Sequence, residues 1–364
     1  MTPPDPTPDA DGLHLLSRRT GWIAGFLQEL GDTFPDRHPR HPVPRRIVAT
    51  GIGSSEAHAR YLVWLLNRTT TVPAEFAPLG SFGLARGWDS PDRALVVFSQ
   101  GLSANARMAL STRHRFAHRI LFTASTPDGL RASGKPDRAA MLESLAGAGT
   151  EIVPFPLEDE YTLLIRVIGP ALGFLAARLW TAQMPGSRLE GTATQIGRVA
   201  AAAFLRGLES GAGLALRMPP EGFPRGLVVP VSPCLSEFAQ NLSCKFVEGL
   251  FQPAPAVMDL LQFAHGPFQQ LTADPRPVLV LHREDAQEED LLGRIRTLCQ
   301  SVGIPCLHAS TGIQADPELG VLEAEGLLAP TILSLARRLR VNQVEWPGKG
   351  LDGPLYLYSG PTTD

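Results

Sequence analysis

The stretch IVATGIGSSEAHA, residues 47–59, decides how this chain is read. A run of apolar, β-prone residues stops at Gly51, two serines follow, and a helix-forming segment begins. Strand, glycine turn and helix in that order form the repeating unit of a parallel α/β sheet, and ligands collect at the carboxyl ends of its strands. Two readings of Gly51-Ile52-Gly53-Ser54-Ser55 stand side by side. One is a tight turn with an N-cap. The other is an anion seat, in which glycine lets the backbone approach while hydroxyls and a helix N-terminus supply donors.

Working outward, a helix is expected over 13–31, with Leu15, Leu16, Trp22, Ile23, Phe26, Leu27 and Leu30 at helical spacing. After the quoted strand and a helix over 55–67 come strands near 74–78, 94–99, 119–124 and 151–155. Helices are expected between them, one running through about Arg115 and one near 138–147. Two long helical segments follow, at about 160–182 and 192–213. The pattern then restarts with strands at 226–232, 254–258, 277–282 and 304–309 and helices at 234–251, 287–301 and 327–342. Both halves open alike, with an apolar strand, a turn, and Ser-Glu starting a helix (Ser55-Glu56, Ser236-Glu237). The expected architecture is therefore α/β: two doubly wound parallel-sheet lobes, each a three-layer αβα sandwich, related by a pseudo-repeat. The boundaries follow: a disordered tail at 1–12, a first lobe with its leading helix at 13–190, a second lobe at 191–345, and a C-terminal tail at 346–364.

The 364 residues suffice for two such lobes. Net charge is −3 with no basic block, and this excludes a broad nucleic-acid-binding face. Cys234, Cys244, Cys299 and Cys306 lack C-x-x-C spacing and read as reduced thiols, with no metal site and no cofactor implied. The Pro- and Asp-rich start lacks the pattern of a signal peptide. The apolar run at 161–180 carries Arg166, Gly169 and Pro170, so a buried helix is expected there and not a membrane span. These features together predict a cytoplasmic protein.

A second hydroxyl-rich turn, Ser99-Gln100-Gly101-Leu102-Ser103, follows the strand at 94–99. Two such turns at adjacent strand ends favour the anion seat over simple capping. A dinucleotide site is disfavoured, because GIGSSEA lacks a third glycine and no ribose-binding acid follows the next strand. In the second half, Glu248 stands late in the helix that contains Cys244-Lys245-Phe246-Val247-Glu248-Gly249, and His265 stands in the loop Phe263-Ala264-His265-Gly266-Pro267. Taken singly, these read equally well as a salt-bridged helix residue and a turn histidine.

In this order the four pieces resemble the sugar isomerase (SIS) domain family, over roughly residues 15–360. The layout is similar to the double-SIS isomerase portion of glutamine–fructose-6-phosphate transaminase and to amino-sugar-phosphate isomerases and deaminases. GIGSS matches the family's first phosphate turn, and FSQGLSANA its S-Q-S-G-x-T-x-D turn. CKFVEG resembles the helix of the catalytic glutamate, and FAHGP the ring-opening histidine loop. The resemblance implies an aldose–ketose isomerase or deaminating isomerase of a phosphosugar or amino-sugar phosphate, bound between the lobes. Glu248 would move the proton between C1 and C2, and His265 would open the ring from across a homodimer interface. Gly53, Ser54, Ser55, Ser99, Gln100 and Ser103 would hold the phosphate.

The chain departs from the family pattern at three places. The second turn is one residue short. The family's tail lysine falls on Lys349 or, when the preceding prolines are matched, on Asp352. Where the family has E-x-x-V-A-x-T-K, this chain has LEDEYTLLIR, with Asp159 or Glu160 standing for the acid and Arg166 for the lysine. Two further readings stay open: an enzyme repurposed for a non-phosphorylated substrate, and a non-catalytic regulator that binds a sugar phosphate. Met1 leads into a Pro-rich tail in place of a nucleophilic cysteine, so amide-nitrogen transfer from glutamine is not expected of this chain. The sequence leaves open the identity of the sugar.

Overall fold

The structure, a computed structural model, describes residues 12–35, 44–84, 90–112, 115–155, 157, 162–218, 225–312 and 316–359. Of the tail expected over 1–12, only Gly12 is described, and it opens a helix. The described residues divide into two compact units that interleave along the chain. The first lobe comprises Phe26–Tyr161, Ile168–Arg198 and the chain from Trp346. The second comprises the chain up to Gly25, Thr162–Val167 and Val199–Glu345. The sequence places single cuts near 190 and 345. In the structure the leading helix α1 (Gly12–Thr33) is shared between the units, and a six-residue segment of the second lobe interrupts the first.

Helix α1 buries Leu16, Ile23, Leu27 and Leu30, the spacing expected of one apolar stripe. Trp22, expected in that stripe, is 42% exposed, with the Arg18 guanidinium 5.1 Å from its ring centroid.

In the first lobe come β1 (Arg46–Thr50), α2 (Ser54–Thr69), β2 (Ala74–Phe76), α3 (Ser81–Leu84), β3 (Ser90–Phe98), α4 (Arg107–Leu110) and β4 (Phe116–Thr123). Then follow α5 (Pro127–Ala132), α6 (Pro136–Gly147), β5 (Glu151–Pro154) and α7 (Ile168–Ala182). All the strands are parallel, in the order β2-β1-β3-β4-β5. Val48, Leu95, Val97 and Leu121 lie buried among Ala106, Leu110, Leu130 and Leu142 in one core cluster. The chain reverses its direction across the sheet between β1 and β3, so the turns after these two strands flank the topological switch point.

Helix α8 (Ala193–Arg217) leads into the second lobe. There follow β6 (Val228–Val231), α9 (Ala239–Leu250), β7 (Ala256–Asp259), α10 (Pro267–Ala273), β8 (Val278–Arg283), α11 (Ala286–Ser301), β9 (Cys306–Thr311) and α12 (Gly320–Arg338). The parallel order β7-β6-β8-β9 repeats the first four strands of the other sheet, β2-β1-β3-β4. The pseudo-repeat read from two Ser-Glu helix starts is therefore a repeat of topology. Strands β6 and β8 are nearly continuous apolar runs because both faces are covered. A last short helix, α13 (Gly353–Tyr356), lies in the tail.

Several boundaries differ from expectation, each for a local reason. Helix α7 starts at Ile168 and not near 160. Pro170 sits in its first turn, where a missing N–H costs nothing. From Ile168 to Thr181 that helix is buried. The helix expected to run to Arg115 is the single turn α4. It is followed by Ser111 and Thr112, whose carbonyl accepts from Arg119 at 2.8 Å. The helix expected over 234–251 begins as a 3-10 segment, Pro233–Phe238, before α9. Two helices, Ala193–Arg217 and Pro317–Arg338, are long and apolar enough to cross a membrane by length and composition. The apolar window of the second is 89% buried within the fold, as core helices are.

Candidate active-site residues

The quoted turn owes its shape to Gly51. A Cβ there would lie 2.3 Å from the Ser55 carbonyl oxygen, so only glycine lets the first turn of α2 fold back onto the end of β1. Gly53 follows with φ of 62°, a conformation that glycine adopts without strain. It occupies the N-cap position, where it offers no side-chain acceptor to the first turn of α2. Ser54 and Ser55 are half-buried. In place of a capping side chain, the Ile52 and Gly53 carbonyls accept from the Ser55 and Glu56 N–H groups at 3.2 and 3.0 Å. We expect Gly51→Ala to lower stability by about 2 kcal/mol through overpacking. It should also remove any stabilisation by phosphate, which melting curves with and without phosphate would read.

The second turn is more rigidly built. The Gln100 carbonyl accepts from Thr123 Oγ1 at 3.2 Å, Ser125 Oγ at 3.1 Å and the Ala124 N–H at 3.1 Å. The Gly101 carbonyl accepts from Arg138 at 2.9 Å. Ser99 Oγ accepts from the Ser103 N–H at 3.3 Å, and Ser103 Oγ from the Ala106 N–H at 3.4 Å. Each hydroxyl oxygen is thus already an acceptor, which leaves its own hydrogen to donate. At these two strand ends Gln100 Nε2 and, at the end of β1, Thr50 Oγ1 are buried without a hydrogen-bond partner among the described residues. Buried donors are rarely left unmade, and these two belong to adjacent strand ends.

The shortened turn is held from the core. Leu102 holds φ of 50°, unusual for a side chain of its size, and is fully buried in the core cluster. Its burial anchors the turn, which is short of the serine that the family pattern has between Gln100 and Gly101. Asn105, just beyond, donates to the Leu355 and Tyr358 carbonyls at 3.1 and 2.7 Å, tying the C-terminal tail to this turn. In that tail the Lys349 ammonium lies 4.8 Å from the Trp346 ring centroid. Lys349 and Asp352 are both exposed. Asp159 and Glu160 lie outside the described residues.

In the second lobe the corresponding turns are closed by the protein itself. Glu288, nearly buried, accepts from Ser232 Oγ and from the Arg283 N–H, both at 2.7 Å. A cavity of about 240 Å³ adjoins it, lined by Pro233, Asp259, Leu260, Arg283 and Asp285 among others. A carboxylate of the chain therefore takes the donors that the first lobe leaves unspent.

Glu248 is half-buried on α9. Burial pushes its carboxyl up to about 7, against the opposing pull of Arg166 and then Lys245. Lys245, one turn earlier, is fully buried and pairs with Glu325 of α12 at 2.8 Å, and Asn241 also donates to Glu325. Arg166 comes from the six-residue segment that interrupts the first lobe, a placement that local sequence pattern does not foresee. His265 is exposed, and its N–H donates to the Gln262 carbonyl at 2.9 Å. The structure thus brings the two hydroxyl-rich turns and the tail with Lys349 into one unit, and Glu248, Arg166 and His265 into the other. Among the described residues no group of three or more His, Cys, Asp or Glu is placed to hold a metal ion.

No family model and no curated protein matches the sequence. Solved structures do match. The C-terminal domain of glucosamine-fructose-6-phosphate aminotransferase from Francisella tularensis aligns with a TM-score of 0.66 at 11% identity, covering 94% of this chain and 100% of that one. Glucosamine-6-phosphate deaminase from Thermotoga maritima aligns with a TM-score of 0.62 at 13% identity, covering 95% and 97%. Such low identity with nearly complete coverage carries the architecture and not the chemistry. With its two parallel sheets of matching strand order, this chain has the double sugar-isomerase (SIS) fold.

Proposed function

We propose that this protein is an isomerase, or deaminating isomerase, of a phosphosugar or amino-sugar phosphate. The observation that carries the reading is Glu248. A half-buried carboxyl held near 7 populates both protonation states at neutral pH. One such group can take the proton from one carbon of an enediol and return it to the next. The names of the structural neighbours, an aminotransferase domain and a deaminase of hexosamine phosphates, support the substrate class. The unspent donors of Thr50, Gln100, Ser99 and Ser103, with Gly53, Ser54 and Ser55, support a phosphate at the switch point of the first sheet. In this reading phosphate binding positions the sugar, and the chemistry is left to Glu248. His265 opens the ring, supplied by a partner in a homodimer, and Lys349 or Asp352 of the tail meets the sugar.

Leu102 favours a second reading. The turn it anchors lacks the serine that the family pattern has between Gln100 and Gly101, and a seat with one donor fewer suits a substrate without phosphate. Thermal melting with hexose, hexosamine and pentose phosphates beside the free sugars separates the two. We expect stabilisation of several degrees by one class of phosphates only. Stabilisation by free sugars alone would favour the second reading. Binding of phosphates without exchange of the C2 proton would make the protein a regulator.

A further inference from the structure

We propose that Gln343 is a positioning residue that fixes Glu248 against Arg166. The inference rests on the reading of Glu248 given above, and its geometry lies wholly within the second lobe. A helix leaves its last four carbonyls without intrahelical partners. In α9 each of the four is satisfied. The Val247 carbonyl accepts from the Phe251 N–H at 3.0 Å, and the Leu250 carbonyl from Gln252 Nε2 at 3.5 Å. The remaining two, of Glu248 itself and Gly249, both accept from Gln343 Nε2, at 2.8 and 2.9 Å.

The same side chain holds the segment that carries Arg166. Gln343 Oε1 accepts from the Ile165 N–H at 3.1 Å, and the Gln343 carbonyl from the Leu164 N–H at 3.2 Å. Gly249 completes the joint, because a Cβ there would lie 2.9 Å from Ile165 Cδ1 and 2.7 Å from Ile332 of α12. One amide, 1% exposed, therefore joins the backbone of the acid to the backbone beside its main opposing charge. The charged groups acting on Glu248 are Arg166 from this segment and Lys245 from its own helix, the latter held by Glu325 of α12. Gln343 carries no charge, so its influence on Glu248 passes through position alone.

The test is the titration of Glu248, followed by carbon-13 NMR of glutamate-labelled protein and assigned by loss of the signal in Glu248→Gln. Four proteins are compared: wild type, Gln343→Met, Arg166→Met and the double variant. Arg166→Met should raise the midpoint, since a favourable charge is lost. Gln343→Met should raise it by at least half as much, and should add nothing in the Arg166→Met background. An unchanged midpoint in Gln343→Met, or the same shift in both backgrounds, would overturn the proposal. If Gln343→Met does not fold, Gln343→Asn, which keeps the amide on a shorter stem, is judged by the same criteria. Exchange kinetics give the second readout: kcat should fall at least tenfold with KM within twofold. Should Glu248→Gln retain exchange activity, the proposed function fails, and the titration still decides the role of Gln343.

Discussion

Glu248→Gln is expected to slow exchange of the substrate's C2 proton with solvent by about 10³-fold, the middle of the range for loss of a general base. Loss of proton-NMR signal at C2 in deuterated buffer would measure it. The amide keeps the shape of the carboxyl, so phosphate binding should persist, and a variant that still exchanges at the wild-type rate would remove Glu248 from the mechanism. Stability provides an independent check with a definite sign. The folded protein holds the Glu248 proton more tightly than the unfolded chain, with a midpoint near 7 against an ordinary value of 4.5. Folding is therefore penalised as pH rises through that window, and above it the penalty is complete. From the size of the shift it is at most about 3 kcal/mol. Glutamine cannot ionise and escapes the penalty. The variant should match wild type near pH 4 and melt at a higher temperature at pH 8. An active enzyme that bears this cost retains a destabilised carboxylate for its chemistry.

Lys245→Met should cost about 3–5 kcal/mol, the toll of stranding one partner of a buried ion pair. Lys245 and Glu325 are 2% and 1% exposed, and their 2.8 Å contact joins α9 to α12. Removing the ammonium leaves the Glu325 carboxylate with Asn241 as a remaining donor, in a site with almost no water access. The second replacement should repair the first. In Lys245→Met with Glu325→Leu, most of the loss should be recovered, since a well-packed apolar pair of similar volume is often as stable as the ion pair. Chemical denaturation of the two single variants and the double variant gives the coupling energy directly. Additive losses would show that the pair does not act as a unit. Because Lys245 is one turn from Glu248 and pulls its titration downward, the two variants that lack Lys245 should also raise the Glu248 midpoint.

The sequence located the strands and the longer helices because their signals are local, while the short helices α3, α5, α10 and α13 were not foreseen. Apolar-rich runs of five to seven residues predict each of the nine strands among the described residues, and Ser-Glu after the first strand of each half predicts the repeat. Boundaries were less legible where two local preferences compete. Pro170 delays the start of α7, and Pro233 begins a 3-10 segment where a continuous helix is expected. The interleaving of the lobes has no local signature, because it depends on where six residues after β5 come to rest.

The same division runs through the candidate site. Residue types and their order were enough to single out the glycine–serine turns, Glu248 and His265, since hydroxyls at strand ends and a carboxyl on an apolar helix have recognisable chemistry. Only the tertiary structure decided which donors remain unspent. Ser99 and Ser103 already accept backbone hydrogens, Thr50 Oγ1 and Gln100 Nε2 have no hydrogen-bond partner among the described residues, and Glu288 fills the matching place in the second lobe. It alone placed Arg166 where its charge bears on Glu248, and gave Gln343 its two carbonyls across 95 and 94 residues of sequence. Periodicity and turn chemistry act over a few residues and are written in the chain. Hydrogen-bond satisfaction, burial and electrostatic pull depend on which distant segments meet, so they exist only once the chain has folded.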